Sequence, residues 1–316
     1  MWRSHRASGY NQVVTTTLPT RPSFWRIWWL ASRPRTSPAA AAPVIAGSAL
    51  AFYAESFALA PALAALLGAL LIQIGTNFAN DVFDFKKGAD TAERLGPTRA
   101  TSAGWVTPGQ MLVGMVVAFG LATLCGLYLV FIGGWPIVLI GLASIAAGVA
   151  YTGGPFPLGY NGLGDVFVFI FFGLVAVAGT YYVQAGAPTP LVWWIAVGLG
   201  LLCVNIIVVN NLRDVETDKK AGKRTLAVRL GPAAARWQYV ACQVGAFLAA
   251  AGAWLSQSGP VWVLLTWLAL PLAVRWARVV WRENGRALNP ALAASGQIEL
   301  VYALLVSVAL VLARFL

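Results

Sequence analysis

The 316-residue chain is 59% hydrophobic and only 10% charged, with a mean hydropathy of +0.72, which excludes a soluble globular domain and identifies an integral membrane protein. Its net charge of +11 would suit nucleic acid if the basic residues formed one patch, but every lysine and arginine except Arg314 falls in the N-terminal tail or at alternate connections between apolar segments. That is the positive-inside pattern, so the basic side is expected to face the cytoplasm and anionic lipid, and no nucleic-acid partner is expected.

Residues 1–35 hold Arg3, Arg6, Arg21, Arg26, Arg33 and Arg35, without the apolar core or small-residue cleavage site of a signal peptide. Phe24, Trp25, Trp28 and Trp29 predict an interfacial helix there, rings at headgroup depth and arginines reaching water. Residues 1–35 therefore read as a cytoplasmic tail with an interfacial helix. No Pro/Ser-rich linker interrupts the apolar pattern after Pro38, so 36–316 reads as one membrane domain. A span needs about 20 apolar residues. By that rule nine helices are expected, over 38–59, 61–84, 108–132, 135–151, 163–184, 191–211, 234–255, 261–281 and 297–315. Short turns such as 133–134 and 185–188 alternate with longer polar loops after the second, sixth and eighth helices. Short connections favour antiparallel neighbours. With nine spans and a cytoplasmic N-terminus, the C-terminus is expected outside.

The chemistry is concentrated where two of these helices end. Only 11 residues are acidic, yet NFANDVFD (77–84) and NNLRDVETD (210–218) each gather amides and carboxylates at helical spacing. At 100° per residue, Asn77, Asp81 and Asp84 fall within an arc of roughly 60°, and Asn210, Asp214 and Asp218 within roughly 80°. Both stretches emerge on the cytoplasmic side. Carboxylates brought together at low dielectric need a proton or a cation, and an oxygen-only donor set favours Mg²⁺ over zinc or copper. The single histidine, His5, lies in the polar tail, and Cys125, Cys203 and Cys242 are scattered singly, which leaves no histidine- or thiolate-based site. Either stretch alone would pass for a helix end surfacing into water; two of the same composition on one side favour a paired metal site.

Mg²⁺ is seldom held by protein alone and usually bridges to substrate phosphates. Lys87, Arg94 and Arg99 follow the first stretch, and Arg213, Lys223 and Arg224 flank or follow the second, placed to hold a diphosphate. The positive-inside rule alone would also put cations here. A third polar patch, 151–165, carries Tyr151, Tyr160 and Asp165, the last at the N-terminus of the fifth helix, where a cap is the plainer reading. Asp90 and Glu216 lie off the main faces and read as accessory or solvated. Tyr181, Tyr182 and Gln184 are expected as interfacial anchors at the opposite end, and Asn205 as an interhelical hydrogen-bonding residue.

The stretches NFANDVFDFKKGAD (77–90) and NNLRDVETDKKAGKRTLAVRLG (210–231) resemble the two aspartate-rich motifs of the UbiA superfamily of intramembrane prenyltransferases. Together with ASRPRT (31–36), GPTRATS (96–102) and YTGGPFPLGY (151–160), they are most similar to its 1,4-dihydroxy-2-naphthoate prenyltransferase branch, MenA. The resemblance implies an all-α, nine-helix bundle around a central cavity, with a lateral opening to lipid and a cytoplasmic polar cap. It implies that Asn77, Asp81, Asp84, Asp214 and Asp218, with Asn210, hold two Mg²⁺ and a polyprenyl diphosphate, and that Lys223 and nearby basic residues hold its phosphates. The acceptor would be 1,4-dihydroxy-2-naphthoate and the product a demethylmenaquinone, made in a bacterial inner membrane. Where Asp165 stands, that branch more often carries Glu, which puts its part in acceptor binding in doubt. The same chemistry on 4-hydroxybenzoate or homogentisate is the nearest alternative. A transporter or flippase for Mg²⁺ or a polyprenyl phosphate is the alternative of another class; it would need polar residues deep along a pore, and the outer halves of the helices are almost purely apolar.

Overall fold

The computed structural model describes residues 21–90 and 94–316, and these are helical, with no strand among them. The expectations that rest on Arg3, His5 and Arg6 lie outside the described residues. Helix α1 (Phe24–Ser32) leads into α2 (Pro38–Tyr53), α3 (Leu59–Lys86), α4 (Pro108–Gly133) and α5 (Trp135–Ala150). A continuous rod follows, built of α6 (Gly164–Val168), a π-helical stretch (Phe169–Val175) and α7 (Ala176–Ala185). Beyond it come α8 (Pro190–Arg213), the short α9 (Val215–Lys220) and α10 (Leu226–Leu230), and α11 (Pro232–Leu255). A 3₁₀ stretch (Val261–Ala269) runs into α12 (Leu270–Arg282), and α13 (Asn289–Phe315) closes the chain. Among the described residues seven helical segments are long and apolar enough to cross a membrane, and α2 and α5 are shorter apolar helices of 16 residues each. The chain is a multi-pass membrane protein.

Several helix bounds depart from expectation for local reasons. Helix α2 stops at Tyr53 rather than near residue 59, because Glu55 takes a left-handed conformation (φ 59°) and Ser56 N–H turns back to the Ala51 carbonyl. Helix α13 starts at Asn289 instead of 297, with Pro290 at its first turn, where a missing N–H costs nothing. The small residues Ala291, Ala294 and Gly296 that weaken the apolar pattern there are buried, and a Cβ on Gly296 would lie 3.6 Å from Pro38. Helix α1 forms as expected, with Trp25 and Trp29 80% and 64% exposed, while Ile27 and Ala31 tuck against Phe78 and Met111.

The main core joins α2, α7, α8, α11 and α13 through small residues such as Ala42, Ala46, Ala246, Ala250 and Ala303, which let helix backbones approach in the absence of a hydrophobic drive between helices. Tyr181 is buried in this core, not at the interface as expected, whereas Tyr182 donates to the Gly133 carbonyl and Gln184 bridges Ser48 and Ala58 N–H. Those contacts tie the α2–α3, α4–α5 and α7–α8 turns into one end of the bundle, and Arg314 pairs there with Glu55. The other end gathers the α3–α4, α5–α6, α8–α11 and α12–α13 connections. Every described lysine and arginine except Arg314 lies toward that end; Arg275 and Arg278 sit inside α12, within about two turns of its terminus, rather than in the loop.

Candidate active site

The end of α3 and the α8–α9 junction bring both acidic stretches to one place because each helix runs on past its apolar segment. Asp81, Asp84, Asp214 and Asp218 all line a single cavity of about 1050 Å³ and are 2%, 2%, 9% and 9% exposed. Lys223, after α9, joins the two stretches: its Nζ lies 3.4 Å from Asp84 and 4.0 Å from Asp218. The cavity continues away from these acids between apolar walls that include Ile72, Val130, Ile140, Ile145, Phe171 and Phe172. One end is therefore anionic and cationic by turns, and the remainder is hydrocarbon.

Each carboxylate has different company. Asp81 accepts from Ala100 N–H and Thr101 N–H, both at 3.0 Å, and so holds the loop entering α4. Asp84 accepts from Arg99 at 3.1 Å and from the Tyr160 hydroxyl at 2.7 Å. Arg213 grips both oxygens of Asp214 and also reaches Asn210 and Asn289, which anchors the start of α13 to the site. Among the described residues Asp218 has only the distant Lys223 as ion partner, and burial pushes its carboxyl up to about 7. Asn77 donates to the Ser32 carbonyl and Asn80 accepts from Thr152, drawing α1 and the α5–α6 loop in. The expected polar loop 151–165 does close the site: Lys223 and Lys87 stand 4.7 and 4.8 Å over the Tyr160 ring.

Arg99, Arg213, Lys223, Tyr151 and Tyr160 line the cavity as expected, but three candidates do not. Lys87 is exposed and spends its ammonium on the Thr152 carbonyl. The Arg224 side chain is exposed, and its N–H and carbonyl instead tie Tyr160 and Arg229. Asp165 is buried against α11, where it accepts from Gln238, so it is a helix-start residue bound to a neighbouring helix. Asp90, expected to be accessory or solvated, has its side chain buried and paired with Arg94 and Arg99; burial pushes its carboxyl up to about 6. Asn205, expected to bridge helices, is buried with neither amide atom partnered. Arg33, Arg35, Gln73 and Asn289 also line the cavity. Gln73 extends the polar line of Asn77, Asp81 and Asp84 along α3, as its spacing predicts, whereas the α1–α2 corner and the start of α13 place the other three there, and spacing along the chain carries no trace of those.

The oxygen-only donor set suits Mg²⁺. Among the described residues no three acids gather into a protein-only cage; pairs on each side of the cavity match an ion that takes one or two carboxylates and completes its shell with water and phosphate.

Residues 40–296 match the model of the UbiA prenyltransferase family. The 1,4-dihydroxy-2-naphthoate octaprenyltransferase of Mycobacterium tuberculosis is 40% identical over 290 residues, spanning 90% of this chain and 96% of the relative. The protein of the same name from Escherichia coli is 40% identical over 265 residues, 81% and 85% of the two chains, and that from Haemophilus influenzae is 35% identical over 303 residues, 91% and 96%. Among solved structures, a UbiA homolog from Archaeoglobus fulgidus bound to GPP and Mg²⁺ superposes with a TM-score of 0.67 at 16% identity, covering 90% of this chain and 99% of that one. The apo UbiA homolog from Aeropyrum pernix K1 gives 0.67 at 16% identity, with 88% and 98% covered.

Proposed function

The chain belongs to the UbiA prenyltransferase family, and from that premise we propose that it moves a polyprenyl group from polyprenyl diphosphate to 1,4-dihydroxy-2-naphthoate, releasing diphosphate and CO₂ and giving the quinol form of a demethylmenaquinone. The observation that carries the reading is the placement of Lys223 between Asp84 and Asp218, which puts both acid-bearing helix ends at the polar head of one otherwise apolar cavity. Names borne by relatives at 35% to 40% identity over most of the chain support the acceptor.

Asp81, Asp84, Asp214 and Asp218, with Asn77 and Asn210 beside them, are the residues to hold Mg²⁺, one ion to each acidic pair and two in all. The metal supplies charge to the departing diphosphate oxygen. Arg99, Arg213 and Lys223 add fixed positive charge at the same place, and they are preorganised by the carboxylates they already touch. The allylic carbon that becomes cationic lies on the hydrocarbon side, where a dry wall keeps water from quenching it before the electron-rich ring attacks. Leu127 and Leu142, 60% and 63% exposed, line the cavity on its α4–α5 side and suit sideways entry of the tail from lipid. An isoprenoid favours that phase by about 0.8 kcal/mol per buried CH₂. The basic site end would face the cytoplasm of a bacterial inner membrane, with the C-terminus outside.

The test is incubation of purified protein in detergent with Mg²⁺, labelled prenyl diphosphate and a panel of 1,4-dihydroxy-2-naphthoate, 4-hydroxybenzoate and homogentisate. Prenylated naphthoquinol with stoichiometric CO₂ is expected only from the naphthoate. Turnover of another acid in preference to it would replace the acceptor, and movement of substrate across vesicles without a new carbon–carbon bond would replace the activity.

A further inference from the structure

Most cations around the cavity are already matched by acids: Arg94 with Asp90, Arg99 with Asp84 and Asp90, Arg213 with Asp214, and Lys223 with Asp84 and Asp218. Arg33 lines the same cavity with no carboxylate of the described residues in ion-pair reach. Among the described residues its guanidinium makes one hydrogen bond, a long 3.5 Å approach to the Asn77 carbonyl. The residue closes α1 in a left-handed conformation, φ 55° and ψ 63°, which a non-glycine side chain adopts only where its surroundings enforce it. Arg35 also lacks an acid, but it is exposed.

A second group is left over in the same corner. Gln73 lies one helical turn before Asn77 on α3, lines the cavity and is 8% exposed. Its amide nitrogen donates to the Thr36 carbonyl at 2.6 Å and to the Thr36 hydroxyl at 3.2 Å, which leaves its amide oxygen buried with no partner. Thr36 in turn donates from both its N–H and its hydroxyl to the Arg33 carbonyl, at 3.0 and 2.9 Å. An unmatched cation and an unmatched hydrogen-bond acceptor therefore belong to one small network, where the α1–α2 turn meets α3. Buried polar groups are normally partnered, so a pair left open on a cavity wall is a site awaiting a ligand.

We infer that this corner is the acceptor subsite: Arg33 takes the carboxylate of an aromatic hydroxy acid, and the Gln73 amide oxygen accepts from one of its ring hydroxyls. The inference rests on the prenyltransferase reading and deepens it, because a carboxylate and a hydroxyl on one flat ring are what such a receptor distinguishes. It also replaces two residues expected in this role. Tyr160 gives its hydroxyl to Asp84, and Asp165 faces α11. Of that set Tyr151 and Tyr160 both stand on the cavity wall, but the Tyr160 hydroxyl is already given to Asp84.

The test is a binding titration of purified protein in detergent, without metal or prenyl diphosphate, using 2-naphthoate, its 1-hydroxy and 4-hydroxy derivatives, and 1-naphthol. Wild type should prefer a hydroxynaphthoate to both 2-naphthoate and 1-naphthol. Arg33→Gln should weaken both carboxylate classes by at least about tenfold while leaving 1-naphthol unchanged, and Arg33→Lys should recover part of the loss. Gln73→Leu should erase the advantage of the ring hydroxyl and nothing else. Prenyl diphosphate binding in the presence of Mg²⁺ should be unchanged in each variant, which also shows that it folds; if Arg33→Gln does not fold, Arg33→Lys and Gln73→Leu decide the question. Hydroxynaphthoate binding unaltered by these substitutions, or a loss confined to prenyl diphosphate, overturns the subsite and leaves the proposed reaction standing. Failure of wild type to bind any hydroxynaphthoate overturns both.

Discussion

Asp81 and Asp218 are expected to share one task, yet their surroundings separate what each removal does. Asp81 satisfies two buried N–H groups of the loop entering α4, so Asp81→Ala should leave both unpaired at about 1–3 kcal/mol each and lower the Tm as well as the rate. Among the described residues the Asp218 carboxylate has Lys223 at 4.0 Å as its ion partner and holds no backbone N–H, so Asp218→Asn should cut kcat by about 10²-fold or more with little change in Tm. Parallel kinetics and thermal unfolding in detergent check this; a normal rate in Asp218→Asn would remove it from the metal set. The acids themselves were legible in the sequence, because a spacing of three or four residues along a helix is a statement about one face. Arg33 was not, and Gln73 was legible only as a member of the polar line it shares with Asn77, Asp81 and Asp84. Their significance lies in what fails to pair with them, which depends on α1 folding back against α3 some forty residues away along the chain.

Among the elements, the π-helical stretch and α8 pack backbone against backbone. A Cβ on Gly173 would come within 2.5 Å of Gly200 Cα, a contact with backbone that no side-chain rotation relieves. Gly173→Ala should therefore push the helices apart and destabilise by about 1–3 kcal/mol, read as a lower Tm. Phe171, Phe172 and Val175 of the same stretch line the cavity, so the variant should also lose activity. An unchanged Tm would show that the packing there is slack. Hydropathy placed every long apolar segment near its observed position but missed their ends and their winding. The left-handed Glu55 that stops α2, the 3₁₀ winding over Val261–Ala269 and the early start of α13 are decided by backbone hydrogen bonds and by neighbours such as Pro38, to which an apolar-window count is blind.

For the whole molecule, charge asymmetry predicts the orientation: among the described residues the site end carries the basic side chains, the opposite end Arg314 alone. Single cysteines introduced at Gly88 and at Leu316 in a background without Cys125, Cys203 and Cys242 should label from opposite sides of intact cells or oriented vesicles, the former from the cytoplasm. Labelling of both from one side would break the alternation on which the paired acids depend. That both acidic stretches share one end was legible from counting spans, since an even number separates them. Their convergence within the bundle, with Lys223 across the gap, required the packing of α3 against its neighbours. The most direct test of that convergence is to count Mn²⁺, substituted for Mg²⁺, by electron paramagnetic resonance in the presence of geranyl diphosphate. Two ions per wild-type chain are predicted, with at least one lost in Asp84→Asn and at least one lost in Asp214→Asn. Wild-type occupancy in both variants would contradict a divalent-metal site shared between the two helix ends.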